Sequence, residues 1–93
     1  MLETEIERKL VAGVKAHGGM CLKQTGIAGI PDRLVLLPGG QAAFVELKAP
    51  GEKPRKLQRM RIKQLQKLGF RCYVIDSMQK VADLVDRIGG GAG

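Results

Sequence analysis

Residues 31–48 decide the fold, and they read PDRLVLLPGGQAAFVELK. The Pro-Gly-Gly sequence in the middle separates two apolar runs, which predicts a β-hairpin. If the hairpin is centred on Gly39, Asp32 lies directly opposite Glu46. Opposed residues have Cβ atoms roughly 4.5–5.5 Å apart, and two like charges at that distance destabilise the sheet. A positive group between them would remove this cost, and a divalent cation is the obvious candidate.

Lys48 completes this pattern. It follows Glu46 by two residues, so the alternation of side chains along a strand places both on the same face of the sheet. Two carboxylates and one lysine around a common point are typical of a hydrolytic metal site. Residues 31–48 therefore predict both a β-hairpin and a candidate metal site.

The rest of the chain predicts one small α/β domain. The expected elements are a helix over residues 3–17, strands over 20–24, 32–37 and 41–48, a helix over 55–68, a strand over 70–75 and a helix over 77–88. This αβββαβα order favours a mixed central sheet with a C-terminal helix. We expect residues 1–88 to form the domain and residues 89–93 to form a flexible glycine-rich tail.

Each predicted helix carries apolar residues at helical spacing. We expect core contacts from Ile6, Leu10, Val11 and Val14 in the first helix, from Leu57, Ile62, Leu65 and Leu68 in the second, and from Val81, Leu84, Val85 and Ile88 in the third. Glu3 and Glu7 fall inside the apolar arc of the first helix. An acid near a helix N-terminus is favoured by the helix dipole, which explains Glu3 better than Glu7. Glu7 is therefore the stronger candidate for a functional carboxylate.

The positive charge is concentrated in one segment. The chain has 16 basic and 9 acidic residues, a net charge of +7. Eight basic residues and no acidic residue lie between positions 53 and 71: Lys53, Arg55, Lys56, Arg59, Arg61, Lys63, Lys67 and Arg71. Such a helix gains no internal salt bridges, which favours a phosphate-facing surface over an ordinary solvated face. With only 3% aromatic residues, stacking on single strands is disfavoured.

Cysteine, histidine and targeting signals are weakly informative. Cys21 and Cys72 are far apart in the sequence and lack nearby ligand partners, so two free thiols are favoured over a disulfide or a zinc site. His17 precedes Gly18 at the predicted end of a helix, where a cap is favoured over a catalytic base. The N-terminus is acidic and lacks an apolar signal region, which favours a cytoplasmic protein.

These motifs resemble the PD-(D/E)XK nuclease superfamily, whose core has the order αβββαβ and is shared with restriction endonucleases. Within that superfamily the chain is similar to the VRR-NUC family, especially its small stand-alone phage-type members. The residues that carry the resemblance are Glu7, Leu10, the turn Gly29-Ile30-Pro31-Asp32-Arg33, the strand Phe44-Val45-Glu46-Leu47-Lys48, Gln58 and Gly69.

The resemblance implies a metal-dependent phosphodiesterase that acts on branched DNA, such as four-way junctions, as a homodimer. Asp32 and Glu46 are expected to hold Mg²⁺ or Mn²⁺, with the backbone carbonyl of Leu47 as a further oxygen ligand. Glu7 would add a direct or water-mediated ligand, although Glu3 stays open as the helix ligand. A one-metal and a two-metal mechanism both stay open.

Two further residues complete the expected catalytic set. Lys48 is suited to orient the attacking water and to balance charge on the transition state. The resemblance suggests that Gln58 contacts the scissile region or steadies Lys48, whereas its position alone suggests an ordinary polar helix residue. The basic residues expected to contact DNA are Lys23, Arg33, Lys53, Arg55, Lys56, Arg59 and Lys63.

Two functions of another class compete with a nuclease. One is a non-catalytic DNA-binding module that keeps the basic helix, and the other is an RNA-binding or ribosome-associated domain. The presence of Asp32, Glu46 and Lys48 together weighs against a decayed site. The lack of an aromatic stacking motif weighs against readout of single-stranded RNA.

Overall fold

Seven elements follow one another in the predicted αβββαβα order. In a computed structural model that describes residues 1–90, they are α1 (Glu3–Ala16), β1 (Met20–Lys23), β2 (Arg33–Leu37), β3 (Gln41–Leu47), α2 (Lys56–Lys67), β4 (Cys72–Ile75) and α3 (Met78–Gly90). Helix α3 includes the first two residues of the segment predicted to be a tail, and residues 91–93 lie outside the described part. No helix among residues 1–90 is both long and apolar enough to cross a membrane.

The four strands form one mixed sheet in the order β1-β2-β3-β4. Strand β2 is antiparallel to both β1 and β3, and β4 runs parallel to β3. In the β2–β3 hairpin Arg33 pairs with Val45 and Leu37 pairs with Gln41, so the register is centred on Gly39 as predicted. Extending this register by one residue places Asp32 opposite Glu46.

The core lies between one face of the sheet and the helices α1 and α3. The predicted apolar faces of these two helices are confirmed, with Val11 only half-buried. The buried residues are Ile6, Leu10 and Val14 from α1, Val35, Leu37, Ala43, Val45, Leu47 and Ile75 from the sheet, and Val81, Leu84, Val85 and Ile88 from α3. Ser77 Oγ accepts a hydrogen bond from the Lys80 N–H at the start of α3, as expected for an N-cap.

Helix α2 does not join this core, and the prediction that its leucines and isoleucine would do so is wrong. Leu57 is 38% exposed and Leu68 is 73% exposed, while Ile62 and Leu65 are half-buried. The reason is that α1 and α3 fill the core on the opposite face of the sheet. The buried residue of α2 is the polar Gln58.

The two cysteines were predicted to be free thiols, and the histidine was predicted to cap a helix. Cys21 and Cys72 are both free, as expected, but they are half-buried where buried thiols were expected. Burial raises the pKa of each thiol, which disfavours the reactive thiolate. His17 Nδ1 lies 2.9 Å from the carbonyl oxygen of Gly13 at the end of α1, as expected for a helix cap.

Candidate active site on the second face of the sheet

The acidic pair lies on the face of the sheet that is turned away from the core. Val45 and Leu47 point into the core, so strand alternation directs Glu46 to the other face. Glu46 is nevertheless only 1% exposed, because α2 covers this end of β3. A carboxylate that is removed from water in this way needs compensating partners.

Glu46 has two such partners, and both contact the same oxygen. Lys48 Nζ lies 3.2 Å from Glu46 Oε2, and Gln58 Nε2 donates a hydrogen bond to that atom at 2.9 Å. The second oxygen, Oε1, is buried and has no hydrogen-bond partner within the described residues. Buried polar atoms rarely stay unsatisfied, so Oε1 is the oxygen of Glu46 that remains available to a positive group.

The surroundings of Glu46 disfavour its charged form. Burial raises the pKa of this carboxyl above its ordinary value, and the nearby charge of Asp32 raises the pKa further. Lys48 acts in the opposite direction and lowers the pKa. A bound cation would offset both unfavourable effects at once.

Asp32 is positioned by the backbone of β3. Its Oδ2 accepts a hydrogen bond from the Leu47 N–H at 2.9 Å, which places the carboxylate beside the last residue of the strand. The preceding Pro31 is buried and limits the backbone angles at this point. Leu47 was expected to bind a metal through its carbonyl oxygen. The contact that the structure shows is a different one, the hydrogen bond from the Leu47 N–H to Asp32.

Gln58 connects the start of α2 to this cluster. Its Oε1 accepts a hydrogen bond from the Arg55 N–H at 2.8 Å, while its Nε2 contacts Glu46. The side chain therefore closes the first turn of the helix and supports the buried acid simultaneously. Gln58 contacts Glu46 directly, whereas the expectation was a contact with Lys48 or the substrate.

Glu7 lies elsewhere, in an ion pair on the core side of the sheet. Arg33 pairs with Val45 and shares its face, and Arg33 Nη2 lies 3.1 Å from Glu7 Oε2. Arg33 Nη1 also donates to the carbonyl oxygen of Cys21 at 3.1 Å. Within residues 1–90 there is no group of three or more histidine, cysteine, aspartate or glutamate side chains that could hold a metal. The structure thus brings Asp32 and Glu46 together but does not add Glu7 to them.

The other residues considered for the site are mostly on the surface. Glu3 is exposed on the first turn of α1. Of the basic residues predicted to contact DNA, Arg33 is held by Glu7 and only 15% of its side chain is exposed. The remaining ones are exposed: Lys23, Lys53, Arg55, Lys56, Arg59 and Lys63. Among them, Lys56, Arg59 and Lys63 line a shallow depression along α2 together with Met60.

The exposed basic face of α2 is turned away from the acidic pair. Gln58 points at Glu46, and at 100° per residue Lys56 and Lys63 project to the opposite side of the helix. Arg59 Nη1 donates to the carbonyl oxygen of Pro54, which holds it near the start of the helix. A ligand that contacts both this basic face and the acidic pair would therefore have to extend around helix α2.

Sequence reasoning missed two contacts that position the site. The Glu7–Arg33 pair could have been anticipated, because a carboxylate on the apolar arc of a helix needs a cation, and Arg33 alternates with Asp32 to the core face. The second contact joins the loop before Asp32 to α2, where Arg61 Nε donates to the carbonyl oxygen of Ala28 at 3.1 Å. No pattern in the sequence marks that contact.

Comparison with known proteins agrees with this geometry. The family model described as VRR-NUC domain matches residues 4–79. A protein of Acyrthosiphon pisum secondary endosymbiont phage 1, named "Putative nuclease p44", is 47% identical over 77 residues, which cover 81% of this chain and 83% of that protein. A solved structure titled "VRR_NUC domain" matches with a TM-score of 0.81 and 31% identity, over 90% of this chain and 94% of the other. The chain therefore belongs to the VRR-NUC domain family of nucleases.

Proposed function

We propose that this protein is a metal-dependent, structure-selective DNA endonuclease that hydrolyses phosphodiester bonds in branched DNA such as four-way junctions. The observation that carries the proposal is the buried Glu46. One of its oxygens is held by Lys48 and Gln58, and the other is left without a partner beside Asp32. A chain gains nothing in stability from this arrangement unless a cation binds there.

The residues present fit a divalent cation of the Mg²⁺ or Mn²⁺ type. Hard oxygen donors suit both ions, and Asp32, Glu46 and the carbonyl of Leu47 would hold one of them. Such an ion would neutralise charge on the phosphate and would make a bound water molecule more acidic. Glu7 would first have to leave Arg33 to contribute a ligand, so its role as a ligand remains a separate proposal.

Lys48 carries the positive charge that the protein itself brings to the reaction. Its ammonium group is largely buried, with 13% of the side chain exposed, and lies against Glu46. From there it can orient a water molecule toward a phosphate and balance charge that develops in the transition state. Gln58 acts as a positioning residue, because it holds Glu46 and thereby the acid–lysine pair.

We further propose that the enzyme works as a homodimer in the cytoplasm of a bacterial or phage-infected cell. A chain of 93 residues covers only a small part of a junction. A two-fold dimer would match the two-fold symmetry of such a substrate. The exposed positive face of α2 supports binding to a DNA backbone.

A binding module without catalysis is the second candidate. The observation that favours it is the exposed row of Lys56, Arg59 and Lys63, which could bind DNA or RNA whether or not the acidic pair is active. The two functions differ in one measurable way, since only the nuclease should convert bound substrate into product.

The test is cleavage of a labelled four-way junction, with linear duplex and RNA of the same sequence as comparisons. Each substrate is incubated with Mg²⁺, Mn²⁺ or EDTA. We expect nicks in the junction with either metal and none in EDTA. Binding without nicks under all three conditions would support the non-catalytic module and contradict the nuclease. Preferred binding of the RNA would contradict the assignment of DNA.

A matched pair of variants guards against a contaminating nuclease. Glu46→Gln removes the charge of the buried carboxylate but keeps its shape, and we expect it to abolish cleavage. Glu52→Gln makes the same change at an exposed acid in the following loop, and it should cleave like the natural protein. Equal cleavage by both variants would show that Glu46 is not part of the catalytic site.

A further inference from the structure

The loop that leads into Asp32 contains a tight turn over residues 27–30. The Ile30 N–H donates to the carbonyl oxygen of Ile27 at 3.3 Å, which defines a four-residue turn. Gly29, the third residue, has φ +80°, as a type II turn requires at that place. Gly26 precedes the turn and also has a positive φ, +96°. Ile27 therefore occupies the first position of a type II turn.

This turn is also fixed to helix α2. Arg61 Nε donates to the carbonyl oxygen of Ala28, and a Cβ added to Gly29 would lie 2.7 Å from Leu57 Cγ and 3.1 Å from the Leu57 carbonyl oxygen. Such close approach is possible only because Gly29 lacks a side chain. The turn thus packs directly against the helix that holds Gln58.

Ile27 projects from this turn into solvent. It is 60% exposed, so its side chain is available to a ligand. It lies five positions before Asp32 and beside a helix that carries only positive charge. The positive charge of the helix therefore suits a polyanion, and the Ile27 side chain suits an apolar surface on that polyanion.

We propose that Ile27 is an apolar wedge that inserts between base pairs of DNA at the branch point, next to the phosphate that the active site cleaves. Proteins that distort DNA use isoleucine and similar side chains in this way, and each insertion costs partial unstacking of a base step. Base pairs at a branch point are already less constrained than those in a continuous duplex, so insertion there costs less. Ile27 would thus help select branched DNA. This inference rests on the proposed function.

The experiment uses a synthetic four-way junction with 2-aminopurine at the branch point, bound in Ca²⁺ so that cleavage is not required. We expect the fluorescence to rise when the natural protein binds, because the base loses a stacking partner. Ile27→Ala should abolish this rise and reduce the preference for the junction over linear duplex by about tenfold. Ile27→Leu should keep both properties, since leucine is also a large apolar wedge.

Leu68→Ala is the matched control, because Leu68 is also an exposed apolar residue but lies at the far end of α2. It should behave like the natural protein. Arg61→Ala should partly reproduce the Ile27→Ala defect by loosening the turn, whereas Lys67→Ala, which removes an equal charge, should not.

Two results would overturn the wedge. One is an unchanged fluorescence rise and junction preference in Ile27→Ala. The other is dissociation of an oligomer by Ile27→Ala in sedimentation experiments, which would place the residue in an interface between copies of the chain. A natural protein that cleaves no DNA would contradict the proposed function instead, and the Ca²⁺ measurement would still decide the role of Ile27.

Discussion

Gln58 donates its side-chain N–H to Glu46 Oε2 at 2.9 Å, and this bond joins the basic helix α2 to the acidic end of β3. Both residues are buried, and neither belongs to the hydrophobic core. The apolar residues of helix α2 are at most half-buried. A polar contact inside the candidate site therefore helps to hold the helix in place.

Replacing Gln58 with alanine should reduce stability. The change leaves Glu46 without one of its two partners and the Arg55 N–H without its acceptor. We expect a loss of about 1–3 kcal/mol in the free energy of unfolding, measured by urea denaturation in EDTA. Gln66→Ala, at an exposed position of the same helix, should have almost no effect. Equal stability of the two variants would show that the bond to Glu46 contributes little.

Glu46 should make the metal-free protein less stable as the pH rises. Its pKa is raised in the folded state, so the folded protein binds more protons than the unfolded chain between the ordinary value of 4.5 and the raised one. Stability should therefore decrease as the pH rises through this interval. Thermal melts in EDTA at a series of pH values should show the decrease in the natural protein.

Glu46→Gln should lack this pH dependence and melt at a higher temperature than the natural protein at neutral pH. The amide carries no charge to desolvate and no repulsion from Asp32. Asp32→Asn tests the same repulsion from the other side while it retains an oxygen that can accept the Leu47 N–H. If Glu46→Gln were strongly destabilised at neutral pH, the carboxylate would have a structural role.

The Glu7–Arg33 ion pair should stabilise the fold on the core side of the sheet. The pair is partly buried, so a double-mutant cycle with Glu7→Gln and Arg33→Met should give a coupling of about 1 kcal/mol. Urea denaturation in EDTA measures it without any contribution from metal. Simple additivity of the two single changes would show that the pair adds nothing to stability.

The exposed basic residues of α2 should set the salt dependence of DNA binding. If Lys56, Arg59 and Lys63 each neutralise one phosphate, removing one should reduce the slope of log K against log salt by about one unit. Titrations in Ca²⁺ at several salt concentrations measure the slope. Lys9→Ala is the control, since this exposed lysine lies on α1, which packs on the opposite face of the sheet. An unchanged slope in all variants would move the DNA surface to the segment 23–29.

The hairpin register could be predicted from the sequence because two features agree. The Pro-Gly-Gly turn marks the centre between two apolar runs, and the acids lie at equal distances from Gly39. The structure has this register. The core faces of α1 and α3 were equally clear, because their apolar residues recur at helical spacing.

The packing of α2 and the partners of the site residues could not be predicted in this way. Leu57 and Leu68 have the spacing of core residues, but whether a helix face is buried depends on which face of the sheet the other helices occupy. Gln58 looks like any polar helix residue, and only the tertiary fold places it against Glu46. The Glu7–Arg33 pair is an exception, because the apolar arc of α1 and the alternation along β2 direct both side chains to the core side of the sheet.

The central claim is that the acid–lysine cluster performs the chemistry, and Lys48→Ala tests it most directly. Single-turnover cleavage and binding of the four-way junction are measured side by side in Mg²⁺ and Ca²⁺, with the exposed Lys9→Ala as control. We predict that Lys48→Ala binds the junction like the natural protein but cleaves at least about a hundredfold more slowly. Cleavage at the natural rate, or loss of junction binding with cleavage of the bound fraction intact, would contradict the account.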